Sequence, residues 1–213
     1  MRVNENAVQE ILKEVGNQHL VAATKYVDEK ESEKLEELGV QYFGENRVQA
    51  FLEKYEQYQG LGHWHFIGTL QCNKVKYIID KVELIHSVNT LKLIKEIEKQ
   101  ANKIQKDIDI LLEVNIADEE SKQGFDQKDI FEAMNLIHEC PHIHVKGLMM
   151  MAPNIDPEET RIYFKKTKEL LETLKNKYPE YSLDTLSMGM SQDYQIALEE
   201  GSSFVRIGRA LFQ

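Results

Sequence analysis

Ile108-Asp-Ile-Leu-Leu-Glu-Val-Asn-Ile116 is the clearest strand of the chain. A helix carrying Ile130, Met134 and Ile137 on one face follows it, and Val145–Met151 then reads as a second strand. Strand, helical crossover and strand in this order form the unit of a parallel sheet. The same unit recurs on either side. Upstream, predicted strands lie at Val21–Val27, Val40–Phe43, Trp64–Ile67 and Leu84–Val88. Helices separate them at Glu29–Leu38, at Glu45–Tyr58, through Val75, Ile78 and Ile79, and along the stripe Leu91, Ile94, Ile97, Ala101 and Ile104. Downstream, a long helix over about Pro157–Tyr178 precedes Leu186–Met190, and a helix at Gln192–Glu199 precedes Phe204–Ile207. One more apolar stripe, Val8, Ile11, Leu12 and Val15, forms a helix closed by Gly16 ahead of the first strand.

Eight strands alternating with helices predict an α/β fold closed into a barrel, with the N-terminal helix filling a place in the outer ring. The alternative is an open doubly wound sheet. It is weakened by the lack of a Gly-x-Gly-x-x-Gly turn after any strand. A length of 213 residues suits one domain, 1–213. With 42% hydrophobic and 29% charged residues the composition is that of a globular protein. No apolar run could span a bilayer, and Met1–Glu10 lacks a signal-peptide core. The two cysteines, Cys72 and Cys140, have no metal or redox spacing and fit a reduced, cytoplasmic setting. A net charge of -10 argues against non-specific binding to nucleic acid or anionic membranes, while leaving room for a small anion in a local pocket.

Within the first strand, Val21-Ala-Ala-Thr-Lys25-Tyr-Val27, period-two geometry puts Lys25 on the face of Val21, Ala23 and Val27. A lysine on an apolar face either finds a counter-charge or snorkels to solvent, or it gives up its proton and becomes a nucleophile able to form Schiff bases. Chemistry in such barrels sits at the C-terminal ends of the strands, where the polar residues concentrate. These are Gly44-Glu45-Asn46-Arg47, Gly68-Thr69-Leu70-Gln71, His86-Ser87-Val88-Asn89, Glu113-Val114-Asn115, Ser187-Met-Gly189-Met-Ser191 and Arg206-Ile-Gly208-Arg209. The last two form a candidate phosphate cup, with Arg209–Phe212 as a short closing helix. The plain alternative makes their serines and glycines turn and cap residues, Ser191 capping the next helix. Lysine and cup together describe a ligand with an aldehyde at one end and a phosphate at the other.

These stretches, with Phe43-Gly-Glu-Asn46-Arg47, Trp64-His65-Phe-Ile-Gly68-Thr-Leu-Gln71 and Gly147-Leu-Met149, resemble the pyridoxal-phosphate homeostasis protein family, which is related to the N-terminal barrel of alanine racemase. The resemblance runs from Val21 nearly to the C-terminus. It implies a single (β/α)8 TIM barrel that holds pyridoxal 5'-phosphate as a Schiff base on Lys25, without catalysis, in storage, buffering and delivery of the cofactor. Ser187, Gly208 and the Arg209 backbone match phosphate-gripping positions, and Arg206 matches the arginine facing the pyridine nitrogen. Asn46, His65, Gly189 and Met149 complete the implied pocket. Arg209 stands where many relatives carry threonine. The implied partners are the cofactor and the apo-enzymes that receive it, with no nucleic acid or membrane, and the chain is expected to be a monomer.

Two other readings use the same residues. A racemase-like enzyme would need a second base, and none of the nine tyrosines sits in a motif that marks it as one. A metal-dependent barrel hydrolase would use His63-Trp64-His65, but no partner ligand set is evident, so no metal site is expected. His142 and His144 read as surface residues, Met149-Met150-Met151 as strand core, and Glu119-Glu120-Ser-Lys122 as a solvated loop over the barrel mouth.

Overall fold

The computed structural model describes residues 1–117 and 123–213. The segment Glu119–Lys122 therefore lies outside the described residues. Eight parallel strands close into a barrel in sequence order: β1 (Leu20–Ala23), β2 (Tyr42–Glu45), β3 (His63–Phe66), β4 (Leu84–Val88), β5 (Ile108–Glu113), β6 (Ile143–Met149), β7 (Thr185–Met190) and β8 (Phe204–Ile207). Closure is made by β1 pairing with β8, Val21 opposite Arg206. The open-sheet alternative is excluded. Around the barrel run α1 (Glu5–Val15), α2 (Glu29–Glu37), α3 (Val48–Gln57), α4 (Val75–Ile78), α5 (Leu91–Ile104), α6 (Asp129–Ile137), α7 (Arg161–Lys177) and α8 (Tyr194–Glu199). No described helix is long and apolar enough to cross a membrane.

The helices form because each carries an apolar stripe that the barrel buries. In α5 that stripe is Leu93, Ile94, Ile97 and Ala101, with the Thr90 hydroxyl accepting the Leu93 N–H at the N-terminus. The α3 face is aromatic: Phe51 packs on Trp64 with ring centres 5.5 Å apart, and Phe43 and Tyr58 lie 5.2 Å from the same indole. After β8 only a short 3-10 turn, Arg209–Leu211, remains. The N-terminal helix lies against it, with Val3 bridging Phe212, so α1 does take part in the outer ring.

Gly147 marks an irregularity in the barrel wall. Its φ of +154° suits glycine, and a Cβ there would overlap the Thr185 carbonyl of β7. The β5–β6 register shifts between Ile110 and Leu111, beside it.

Three expectations require correction. The first strand stops at Ala23 instead of reaching Val27, because the polar groups of Thr24 are captured there. Its hydroxyl donates to Glu45 Oε1 at 2.6 Å, and its carbonyl accepts from Lys54 Nζ at 2.6 Å and the Val27 N–H at 3.1 Å. The chain turns, and Lys25 is exposed rather than held on an apolar face. Met151 is 46% exposed instead of lying in the core with Met149 and Met150, since β6 ends before it. Ser191 does not cap α8; Asp193 occupies the N-terminal position.

Candidate cofactor site

A cavity of about 620 Å³ opens at the C-terminal ends of β1, β2, β3, β6, β7 and β8. Lys25, Asn46, Arg206, Gly208 and Arg209 all line it. The Lys25 ammonium lies 4.8 Å from the Tyr26 ring centre, at the mouth. Arg206 is 6% exposed, and burial lowers its guanidinium to about 10 while Glu113 and Asp193 pull the other way. It remains a cation at neutral pH.

One wall consists of backbone from two loops. Asp193 closes the first: its Oδ1 accepts the Met190 N–H at 2.6 Å, and its own N–H donates to the Met190 carbonyl at 3.1 Å. Burial raises its carboxyl above the usual range. This ring leaves the Ser191 and Gln192 N–H groups without an acceptor among the described residues, as are those of Gly208 and Arg209 on the second loop. All four residues line the cavity. Converging free N–H groups beside a buried guanidinium favour an anion. Asn46 Oδ1 is buried without a partner among the described residues, which marks a place for a donor.

The other four expected residues lie elsewhere. Ser187, His65 and Met149 point into the barrel interior, away from the cavity lining. Ser187 on β7 bonds His86 on β4, and strands so far apart can meet only through the interior. Arg206 Nη1 donates to Ser187 Oγ at 2.5 Å, Ser187 Oγ lies 2.8 Å from His86 Nδ1, and His86 Nε2 lies 3.0 Å from His65 Nδ1. A second donation, from Arg206 Nη2 to the Met150 carbonyl at 2.9 Å, completes the clamp. Burial first, and then neighbouring positive charge, holds both imidazoles neutral: His65 falls to about 3 and His86 is also well below its usual value. Met149 packs with Leu84, Leu111 and Phe204 in the layer alongside. Gly189, at φ +94°, lets α8 approach, since a Cβ there would sit 2.5 Å from the Ala197 methyl.

The His63-x-His65 pair is split. His63 is exposed and bonded to Glu83 at 2.7 Å, whereas His65 is committed to His86. Sequence reasoning missed Asp193 and the loop Ala152-Pro153-Asn154-Ile155, which also line the cavity. The proline following an apolar strand was the available signal for that loop.

A parallel eight-stranded barrel with a basic, anion-ready cavity at its C-terminal face defines a class of ligand-binding barrels, and residues 2–213 match the family profile described as alanine racemase, N-terminal domain. The chain is 44% identical over 195 residues to the pyridoxal phosphate homeostasis protein of Aquifex aeolicus, covering 91% of this chain and 85% of that one. The protein of the same name from Pasteurella multocida is 32% identical, with 98% and 91% covered. Among solved structures, PipY of Synechococcus elongatus with PLP bound superposes with a TM-score of 0.91 at 26% identity, covering 98% of this chain and 99% of that one. Alanine racemase of Clostridium difficile, at 15% identity and TM-score 0.77, shares the fold over 57% of its length. The chain belongs to the pyridoxal phosphate homeostasis protein family, within the alanine racemase N-terminal domain fold.

Proposed function

We propose that this chain binds pyridoxal 5'-phosphate and acts in intracellular homeostasis of that cofactor, storing it, buffering its free aldehyde and delivering it to apo-enzymes. In this reading residues 1–213 work as one monomeric, non-catalytic binding domain. The observation that carries it is the convergence of Lys25, Arg206 and the Ser191–Gln192 and Gly208–Arg209 backbone on one cavity. The Lys25 amine condenses with the aldehyde to form a Schiff base and one water is released. The free N–H groups receive the phosphate. Arg206, held from behind by Ser187 and Met150, faces the ring and keeps positive charge beside it. The names of the relatives and the bound PLP of PipY support the assignment.

The test is the visible absorbance of the purified protein, with and without added cofactor, beside Lys25→Ala. A yellow band present in the parent, absent in the variant, and converted by borohydride into a stable adduct on the Lys25 peptide is expected. A parent that gains no band overturns the reading. Sustained deuterium exchange at an amino-acid α-carbon in heavy water would overturn the non-catalytic part.

A further inference from the structure

Lys25 is shared by two cavities. Besides the larger one, a second of about 400 Å³ lies on the β2–β3 side of the same side chain, lined by Lys25, Tyr26, Glu45, Asn46, Arg47 and Thr69. Its polar walls differ from those of the first. Arg47 lies outside the larger cavity, is exposed, and has no carboxylate partner among the described residues. That is notable in a chain of 36 acidic residues against 26 basic ones. Glu45 is already neutralised by its buried pair with Lys54, so Arg47 and Lys25 leave the local balance positive. Glu45 Oε2 and Asn46 Oδ1 are both buried acceptors lacking a donor among the described residues. Gly68 walls the space tightly, because a Cβ there would strike the Asn46 backbone.

We propose that this second cavity is the binding site for an incoming free α-amino acid, whose carboxylate pairs with Arg47 while its amine is presented to the carbon bound to Lys25. A guanidinium recognises a carboxylate by two parallel hydrogen bonds, and holding the amine in place turns an encounter into a local reaction. The inference rests on the assignment of the cofactor to Lys25. In the exchange, the incoming nitrogen bonds to the cofactor carbon and the carbon–Lys25 bond breaks. Two protons pass from the incoming nitrogen to the Lys25 nitrogen, with no redox change and no water consumed. Having two sides to one lysine lets the acceptor arrive without first displacing the phosphate.

The experiment uses the whole chain loaded with pyridoxal phosphate and titrated separately with L-alanine and with ethylamine, which lacks the carboxylate. Borohydride trapping and mass measurement then divide the cofactor between the Lys25 peptide and the free phosphopyridoxyl amine. In the parent, L-alanine is expected to release the cofactor at a concentration at least tenfold below that for ethylamine at equal unprotonated amine. Arg47→Ala should raise the L-alanine half-point about tenfold, leave ethylamine unchanged and keep the Lys25 band. Equal half-points for the two amines in the parent, or an Arg47→Ala effect on both alike, would overturn the inference. Absence of the Lys25 band in the loaded parent before any amine is added would instead bring down the cofactor assignment itself.

Discussion

The Arg206 guanidinium donates to the Ser187 hydroxyl at 2.5 Å, and this bond heads a chain of buried hydrogen bonds that runs through His86 to His65. Arginine can only donate, so Ser187 Oγ accepts from it, and the arrangement in which the hydroxyl hydrogen is also used turns that hydrogen to His86 Nδ1. In that arrangement the His86 proton is on Nε2, from which it donates to His65 Nδ1, and the His65 proton is on Nε2 as well. Nitrogen-detected NMR should find both rings neutral as Nε2–H tautomers at pH 7 and still neutral at pH 5. A doubly protonated ring at pH 5 would contradict this arrangement.

The same depression gives a stability prediction with a definite sign. His65 is lowered from 6.5 to about 3 by burial and then by His63, and His86 is lowered in the same direction by burial, His65 and Arg206. Between those values the unfolded chain takes up protons that the folded one refuses, so this contribution is present above pH 6.5 and lost as pH falls toward 3. Glu113 and Asp193 are raised by burial, and their contribution is lost as pH rises through their folded values, opposing the histidines in the acid range. Urea midpoints should therefore fall from pH 7 to pH 5.5, where the histidines dominate. A midpoint that rises over that interval would refute the assignment.

Ser187→Ala should leave both Arg206 Nη1 and His86 Nδ1 without their shared partner in the barrel interior. The expected loss is about 1–3 kcal/mol in urea unfolding. Cofactor affinity should weaken as well, although Ser187 does not line the cavity, because Arg206, proposed to face the ring, loses one of its two anchors. Unchanged affinity would show that the Met150 carbonyl alone holds Arg206.

The buried Lys54–Glu45 pair pins Thr24, the residue before Lys25, by its carbonyl and its hydroxyl. Lys54→Met strands the Glu45 carboxylate and should cost about 3–5 kcal/mol. Adding Glu45→Gln should recover a large part of this in a double-mutant cycle. Additive losses would mean that the pair acts only through separate contacts.

Gly147→Ala should destabilise the β6–β7 seam by at least about 1–3 kcal/mol, since the backbone there is at φ +154° and the added methyl meets the Thr185 carbonyl. Thermal unfolding measures it, and a neutral substitution would show that β7 can shift.

Much of the barrel was legible because burial dictates pattern. Leu84–Val88, Leu91–Ile104 and Phe204–Ile207 coincide with their predicted bounds, being set by apolar runs and stripes. The site was legible in part. Lys25, Asn46, Arg206, Gly208 and Arg209 stand where strand ends and loops must converge in a barrel. Ser187 and His65 face the barrel interior instead of the cavity, because a motif at a strand end does not tell which of two successive residues faces inward, whereas Met149 lies in the core as its apolar strand implies. Lys54 was unreadable for a different reason: its partners are 9 and 30 residues away, and a lysine in an amphipathic helix reads as solvated.

Closure of β1 onto β8 leaves the sheet without an unpaired rim of N–H and C=O groups. A protein that approaches this barrel cannot add a strand to it, so backbone templating is unavailable as a mode of recognition. A recipient of the kind proposed would instead read side chains, and at the mouth Tyr26, Met151 and Ile155 stand exposed around the cavity. Discrimination among the proposed recipients would then depend on the shape of two loops, one after β1 and one after β6, which can diverge while the barrel beneath them stays the same.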